Sequence, residues 1–337
     1  HGVAKAQTLV AVLQISVGNL YHSDTPGTHA RIPDVRPVGS QPVDKFSPNP
    51  LYHIRNLLLK QEWYRDYARE QGKKPLKYIG RFNIRSAVDE VADDIRQELG
   101  ITEQFRASAS NWELFLTNFM AAAEAVGVLV IRTGIVGSAS KRPLSVKEVR
   151  GFVISDPLAP LVFINGRDST SAQVFTLAHE LVHLWIGQSG VSNPNPKKRS
   201  TDEVNQIERF CNRVAATILV PHVEFLRRWR DNDSVENNVH TLVRYFRVST
   251  HVILRQAFEQ DKIDRDQYEK LIQIEEDRFR TQASGGNFYR NVRIRNSRIL
   301  TVSVLDAIQE NKIGLSDAAT PLGGKVPTVK NCASELR

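Results

Sequence analysis

Residues 179–183 read His-Glu-Leu-Val-His. Two histidines four positions apart on a helix project from the same side, so His179 and His183 can bind one metal ion. Glu180 lies between them and can act as general base on a water that this metal activates. The spacing therefore predicts a hydrolytic site with Zn²⁺ as its cofactor, and the same ligands also accept manganese or cobalt.

The surrounding residues predict that the motif lies on a buried helix. A short strand is expected at Leu161–Asn165, and residues 170–173 have the pattern of a capping box with Thr170 as N-cap. The helix is expected to run from about Ser171 to Ile186, with almost no polar face outside the motif. Burying one acid and two imidazoles without partners would cost on the order of several kcal/mol, and a metal removes this cost. The alternative is a core helix with hydrogen-bonded histidines.

A third ligand is predicted at Glu208, which lies 25 residues beyond His183. It opens a second apolar helical stretch that ends before Pro221. A catalytic zinc site uses three protein ligands, so Glu208 would complete the set. A glutamate at a helix start more often interacts with the helix dipole, but pairing with the first motif favours the ligand. Asn212 lies four positions later on the same face. It is predicted to form a hydrogen bond to a metal ligand without binding the metal itself.

Two stretches of this chain resemble the ImmA/IrrE metallopeptidases. Residues 175–184 read FTLAHELVHL, and residues 208–221 read ERFCNRVAATILVP. The chain departs mildly from the family pattern at Cys211 and Val214, where alanine and phenylalanine are frequent. Both residues keep the helix face apolar. The resemblance is specific over residues 150–221 and looser outside them.

This resemblance implies a function and assigns the site residues. It implies a zinc endopeptidase with His179, His183 and Glu208 as metal ligands and Glu180 as general base. The implied partner is a protein substrate, a transcriptional repressor or an antitoxin, that is cut to switch gene expression.

The predicted fold class is α+β and mainly helical: a zincin-like metallopeptidase domain with a small β-sheet, plus a helical C-terminal region. A chain of 337 residues can hold two or three domains. Helical periodicity and apolar runs predict the elements of the catalytic domain. The expected helices and strands in this part are Ser86–Leu99, Trp112–Ala125, Gly127–Arg132, Gly151–Ser155 and Leu161–Asn165.

Four segments are expected along the chain. Residues 1–49 are expected to be the remnant of a helix-turn-helix region followed by a linker. Within them, Leu9–Tyr21 is similar to the final helices of an Xre-type helix-turn-helix domain, so the chain is expected to begin inside that domain. The alternative for Leu9–Tyr21 is a short amphipathic helix with no binding role. Residues 50–235 form the zincin-like domain, residues 236–284 a helix-turn-helix-like segment, and residues 285–337 a basic helical segment.

Composition restricts the class of protein. Hydrophobic residues make up 41% and charged residues 24% of the chain, as in ordinary globular proteins. No stretch approaches the length of uninterrupted apolar sequence that a membrane span needs, so no membrane partner is expected. The two cysteines, Cys211 and Cys332, argue against a secreted disulfide scaffold and predict a cytoplasmic protein. The net charge of +8 suggests contact with nucleic acid or an acidic partner without requiring either.

Two alternatives to peptidase activity stay open. A regulator or toxin–antitoxin component would bind protein or DNA with the zincin fold as scaffold or sensor; DNA contact would use the basic helical segments. Glu180 argues against this, since a scaffold needs ligands but no general base. A zinc hydrolase of small amides is the other alternative. The donor that would stabilise the oxyanion is left open among Tyr245, His222, His240 and His251.

Overall fold

The computed structural model describes residues 47–137, 139–192, 202–281 and 296–322. Over these residues the protein is mainly helical and carries a small mixed sheet, which confirms the predicted α+β class. The expected helix-turn-helix remnant at Leu9–Tyr21 lies outside the described residues. Within the described ranges, no helix combines the length and the hydropathy that crossing a bilayer demands.

The main sheet has four strands in the order β1–β5–β4–β6. Strands β1 and β5 are parallel, with Leu129 opposite Leu161, whereas β4 pairs antiparallel with both β5 and β6. All five residues of β1 and all five of β5 are buried, as expected for central strands covered on both faces. The bounds of these strands are Leu129–Thr133 (β1), Gly151–Ile154 (β4), Leu161–Asn165 (β5) and Gly190–Ser192 (β6). A separate antiparallel ribbon joins β2 (Ile135–Val136) and β3 (Ala139–Pro143).

Four helices precede the sheet in the described chain. Two of them begin with side-chain caps: Thr102 Oγ1 accepts from the Phe105 amide, and the Asn111 side chain accepts from the Leu114 amide. The helices are α1 (Pro48–Glu70), α2 (Val88–Leu99), α3 (Glu103–Ala107) and α4 (Trp112–Ala125). The bounds of α4 match the sequence prediction, and α2 begins two residues later than predicted.

The helix with the motif, α5 (Thr170–Trp185), lies at the centre of the core. It packs against β4 and β5 on one side and against other helices on the rest of its surface. The predicted capping box is wrong by one residue. Ser169 is the N-cap, because it has extended backbone angles and its hydroxyl accepts from the Ala172 amide at 3.3 Å. The Gln173 side chain donates to the Asp168 carbonyl at 2.6 Å.

The helix with the third ligand, α6, runs from Asp202 to Leu219. Glu208 therefore lies inside the helix, and the expectation that it opens the helix is wrong. The buried stripe begins at Ile207, and the residues just before it, Val204 to Gln206, are half-buried or exposed, so the helix begins before the apolar pattern does. Glu208 thus acts from the middle of a packed helix and not from a helix start.

Six further helices follow in the described chain. Helices α8 and α9 form a helix–turn–helix pair, and the buried side chains of Leu242, Phe246 and Ile253 join the same hydrophobic core as α5 and α6. Helices α11 and α12 pack against α1. Of the predicted basic stretch, Arg298 begins α11, and Arg290, Arg293 and Arg295 lie outside the described residues. The bounds are α7 (His222–Arg228), α8 (Val235–Phe246), α9 (Thr250–Glu259), α10 (Arg265–Thr281), α11 (Arg298–Gln309) and α12 (Leu315–Leu322).

Candidate metal centre

Three predicted ligands converge at the contact between α5 and α6. The Nε2 atoms of His179 and His183, one turn apart on α5, are 3.1 Å from each other. The Glu208 carboxylate reaches across from α6, with Oε2 at 3.3 Å from His179 Nε2 and Oε1 at 3.5 Å from His183 Nε2. Among the described residues, this is the one cluster of three such side chains with the spacing of metal ligands.

The spacing of these atoms fits a small tetrahedral cation. Bond lengths of about 2.0–2.2 Å to nitrogen and oxygen place neighbouring ligands of a tetrahedral zinc roughly 3.3 Å apart. The three observed separations, from 3.1 to 3.5 Å, bracket that value. The imidazoles are also buried, so their polar atoms lack water as an alternative partner. The residues present therefore fit a divalent metal ion.

Burial and charge shift the pKa values of the three candidate ligands in different directions. Burial opposes protonation of His179, but the Glu208 carboxylate outweighs it and raises the pKa of this imidazole. For His183, burial and the neighbouring His179 prevail, and its pKa is lowered. Burial alone would raise the pKa of Glu208, but hydrogen bonds from both histidines lower it to about 2. At neutral pH the carboxylate is ionised and His183 is neutral, which are the forms that bind metal.

Asn212 lies one turn beyond Glu208 on α6, as the sequence predicts. Its side chain is within hydrogen-bonding reach of His179 and contributes to the raised pKa of that imidazole. Asn212 also lines the cleft that opens beside the three ligands. Asn212 is thus near His179 and exposed at the cleft.

The predicted general base, Glu180, is fully buried and lies against the first residue of β4. A Cβ atom on Gly151 would be 2.7 Å from Glu180 Oε1 and 2.5 Å from Thr176 Cγ2. The backbone of Gly151 has no positive φ, so this position needs a glycine for space and not for conformation. The only local sequence signal for this role is a glycine at the start of a strand near the motif, too weak to predict it.

A cleft of about 970 Å³ opens beside the ligands and is bounded by α5, α6 and α9. Phe175 and Thr176, on the turn of α5 before His179, form part of its wall. Asn212 lies on the opposite wall, on α6. A volume of this order is typical of clefts that bind ligands. The candidate ligands do not themselves line this cleft, which approaches them through Asn212 beside His179.

Two of the four candidate oxyanion donors are engaged with other groups. The Tyr245 hydroxyl donates a short hydrogen bond to Glu224, and its ring lies beneath Arg228. His222 Nδ1 lies 3.1 Å from a carboxylate oxygen of Asp89. Neither residue lines the cleft.

The other two candidates lie on different surfaces. His240 is exposed on α8 and does not line the cleft, whereas His251 on α9 does. His251 is thus the one of the four that shares the cleft with the metal centre. The buried Cys211 takes no part in the ligand set; burial holds the pKa of its thiol well above the usual range, as expected of a core residue.

Comparison with known proteins agrees with this geometry. Residues 123–258 match the Peptidase M78 family model, described as the IrrE N-terminal-like domain. No curated protein matches the chain. The matched range contains the main sheet, both ligand helices and α9, which forms the far wall of the cleft. Residues 123–258 are therefore similar to the IrrE N-terminal-like peptidase domain.

Proposed function

We propose that this protein is a zinc-dependent endopeptidase that cuts one specific protein partner, a transcriptional repressor or an antitoxin, and thereby switches gene expression. One observation carries the peptidase part: the Nε2 atoms of His179 and His183 lie 3.1 Å apart and each lies within 3.5 Å of an oxygen of Glu208, beside the buried Glu180 on the helix of the two histidines. A site that only stabilised the fold would need the ligands but not this acid.

A Zn²⁺ ion held by His179, His183 and Glu208 would supply Lewis-acid activation of water and of the scissile carbonyl. Glu180 accepts a proton from the attacking water and passes it to the leaving nitrogen. Packing against Gly151 restricts the position of its carboxylate. Asn212 lies beside His179 and contributes to the raised pKa of that imidazole.

The nature of the substrate is supported by the family and by the shape of the site. The matched domain is a peptidase domain, and the cleft of about 970 Å³ has room for several side chains of an extended peptide. The repressor or antitoxin identity rests on the resemblance of residues 175–184 and 208–221 to the family. A cytoplasmic location belongs to the same proposal and is supported by the free, buried Cys211.

The test is co-expression of the chain with the proteins encoded beside its gene, followed by intact mass measurement. The wild type and a Glu180→Gln variant form the matched pair, since this variant keeps all three ligands. We expect one neighbour to be cut at one bond by the wild type alone. If both forms hold zinc and bind the neighbour but neither cuts it, the protein is a non-cleaving regulator and the proposal fails.

A further inference from the structure

The cleft beside the metal centre carries an excess of positive charge. Its two acids are already paired: Arg150 Nε lies 3.4 Å from Asp168 Oδ2, and Arg255 Nε lies 2.7 Å from Glu259 Oε1. Four arginines and two acids line the cleft, so it has a net excess of two positive charges. The arginines without an acid of the cleft beside them are Arg209 and Arg213, both on α6.

Arg209 and Arg213 lie one helical turn apart and are exposed. The positions three and four residues from each of them, in both directions, hold no Asp or Glu. Within the described ranges of the chain, neither guanidinium forms an ion pair. Like charges at this spacing destabilise a helix. An anion lying between the two side chains would remove that repulsion.

These two arginines each follow a residue of the candidate site along α6. Arg209 directly follows the ligand Glu208, and Arg213 directly follows Asn212. Both face the same cleft as Phe175 and Thr176, one turn before the first histidine ligand. A peptide bound at the metal centre would therefore place its neighbouring side chains beside them.

We propose that this cleft binds an acidic segment of the substrate, with Arg209 and Arg213 contacting Asp or Glu side chains near the scissile bond. The inference rests on the proposed endopeptidase function and adds the class of sequence that it recognises. Guanidinium groups bind carboxylates through paired, charge-assisted hydrogen bonds. Nucleic acid is the other polyanion to consider, but a cleft of about 970 Å³ next to a metal centre has the size of a ligand site and cannot enclose a duplex.

Binding can be measured without turnover by using the full chain, loaded with zinc and carrying Glu180→Gln. The probes are three fluorescein-labelled peptides with one backbone sequence, in which the same positions hold glutamate, glutamine or lysine. Fluorescence polarisation should show the tightest binding for the glutamate peptide. In the Arg209→Gln/Arg213→Gln background its Kd should rise at least about tenfold, because two charge-assisted contacts are lost.

Arg244→Gln is the matched control, since Arg244 is an exposed arginine on α8 outside the cleft. It should change the Kd by less than about twofold, which separates local contacts from the overall charge. Arg213→Glu should reverse the preference toward the lysine peptide. Zinc content and near-ultraviolet circular dichroism of each variant show that the site and fold are retained.

Equal affinity for the three peptides, or equal effects of the cleft and Arg244 substitutions, would overturn the inference. Tighter binding of a DNA duplex than of the glutamate peptide, with the same dependence on Arg209 and Arg213, would overturn it in favour of nucleic acid. The two proposals also fail separately. If the glutamate peptide binds through these arginines but the wild type cuts no neighbour, only the endopeptidase function fails. If the wild type cuts a neighbour and the Arg209→Gln/Arg213→Gln substitutions do not change the rate of that cleavage, only the acidic preference fails.

Discussion

Helices α5 and α6 both carry candidate metal ligands, but they differ in how much of their surface is buried. Nearly all of α5 from Gln173 to Trp185 is buried, including its three ionisable residues. Helix α6 is buried along one stripe and exposes Arg209, Asn212 and Arg213 on the other side. The buried helix holds the reactive groups in one arrangement, because packing leaves them no alternative. The half-exposed helix brings Glu208 to the two histidines and exposes charged side chains to the cleft.

The largest effects are expected at the buried helix. His183→Ala should abolish cleavage and remove stoichiometric zinc, whereas Glu180→Gln should lower kcat by about 10²–10⁴-fold and keep the metal. Zinc at a thousandfold excess over its Kd should stabilise the wild type by about 4 kcal/mol, and chelation should remove that stabilisation. Metal analysis measures the zinc content of each variant, and thermal unfolding with and without a chelator measures the stabilisation by zinc. Unchanged zinc content in His183→Ala would show that the ligands lie elsewhere.

The contact between Gly151 and α5 tests whether burial fixes the general base. Gly151→Ala should lower kcat by about 10²-fold, because displacement of a catalytic group by about 1 Å has an effect of this size. Its added methyl group would be 2.7 Å from Glu180 Oε1. Gly166→Ala is the control, since a Cβ there meets its neighbours at an ordinary 3.5 Å. Equal kcat values for both variants would mean that the position of Glu180 tolerates movement.

A third buried histidine shows what burial does without a carboxylate partner. His53 on α1 packs against Phe163, with ring centroids 4.7 Å apart, and burial followed by the charge of Lys60 lowers its pKa to about 3. In His179 the Glu208 carboxylate reverses the effect of burial. Burial thus lowers the pKa of a histidine that has no carboxylate partner, and a neighbouring carboxylate raises it.

The lowered pKa of His53 predicts acid sensitivity. Its unfolded pKa of 6.5 lies above its folded pKa of about 3, so the unfolded chain binds more protons between these values. The stability that neutral His53 contributes is complete above pH 6.5 and is lost as pH falls toward 3, by at most about 1.4 kcal/mol per pH unit. His53→Phe should make the free energy of unfolding depend less on pH, as measured by urea unfolding at pH 7, 6 and 5. An unchanged slope would show that His53 does not titrate in this range.

The smallest expected effect concerns the start of α5. Ser169→Ala should lower the free energy of unfolding by about 1 kcal/mol, because the Ala172 amide loses its cap. Thr170→Ala should have a smaller effect, since the Thr170 hydroxyl makes only a 3.5 Å contact with Glu113. Chemical unfolding of the two variants compares them directly. A larger loss of unfolding free energy in Thr170→Ala would show that Thr170, the residue predicted from the sequence pattern, is the N-cap.

Much of the fold could be predicted because the decisive patterns are local. The bounds of α4 and β5 follow from apolar periodicity and turn residues, and the structure reproduces both ranges. The errors lie at helix ends, at Ser169 and in the placement of Glu208 within α6. Helix ends depend on which of several competing polar side chains reaches a free amide, and neighbouring serines and threonines offer almost equal choices.

The pattern of residues alone predicts that His179 and His183 share one side of a helix, because helix geometry places residues four apart together whatever the rest of the chain does. It likewise determined the apolar faces that bury α5 and α6. The approach of Glu208 to these histidines depends on the packing of α6 against α5. Only the tertiary structure decided that Gly151 lies against Glu180, that His251 and not Tyr245 lines the cleft, and that Arg209 and Arg213 have no acid of the cleft beside them. These relations join elements far apart along the chain, and their distances are set by packing and not by local periodicity.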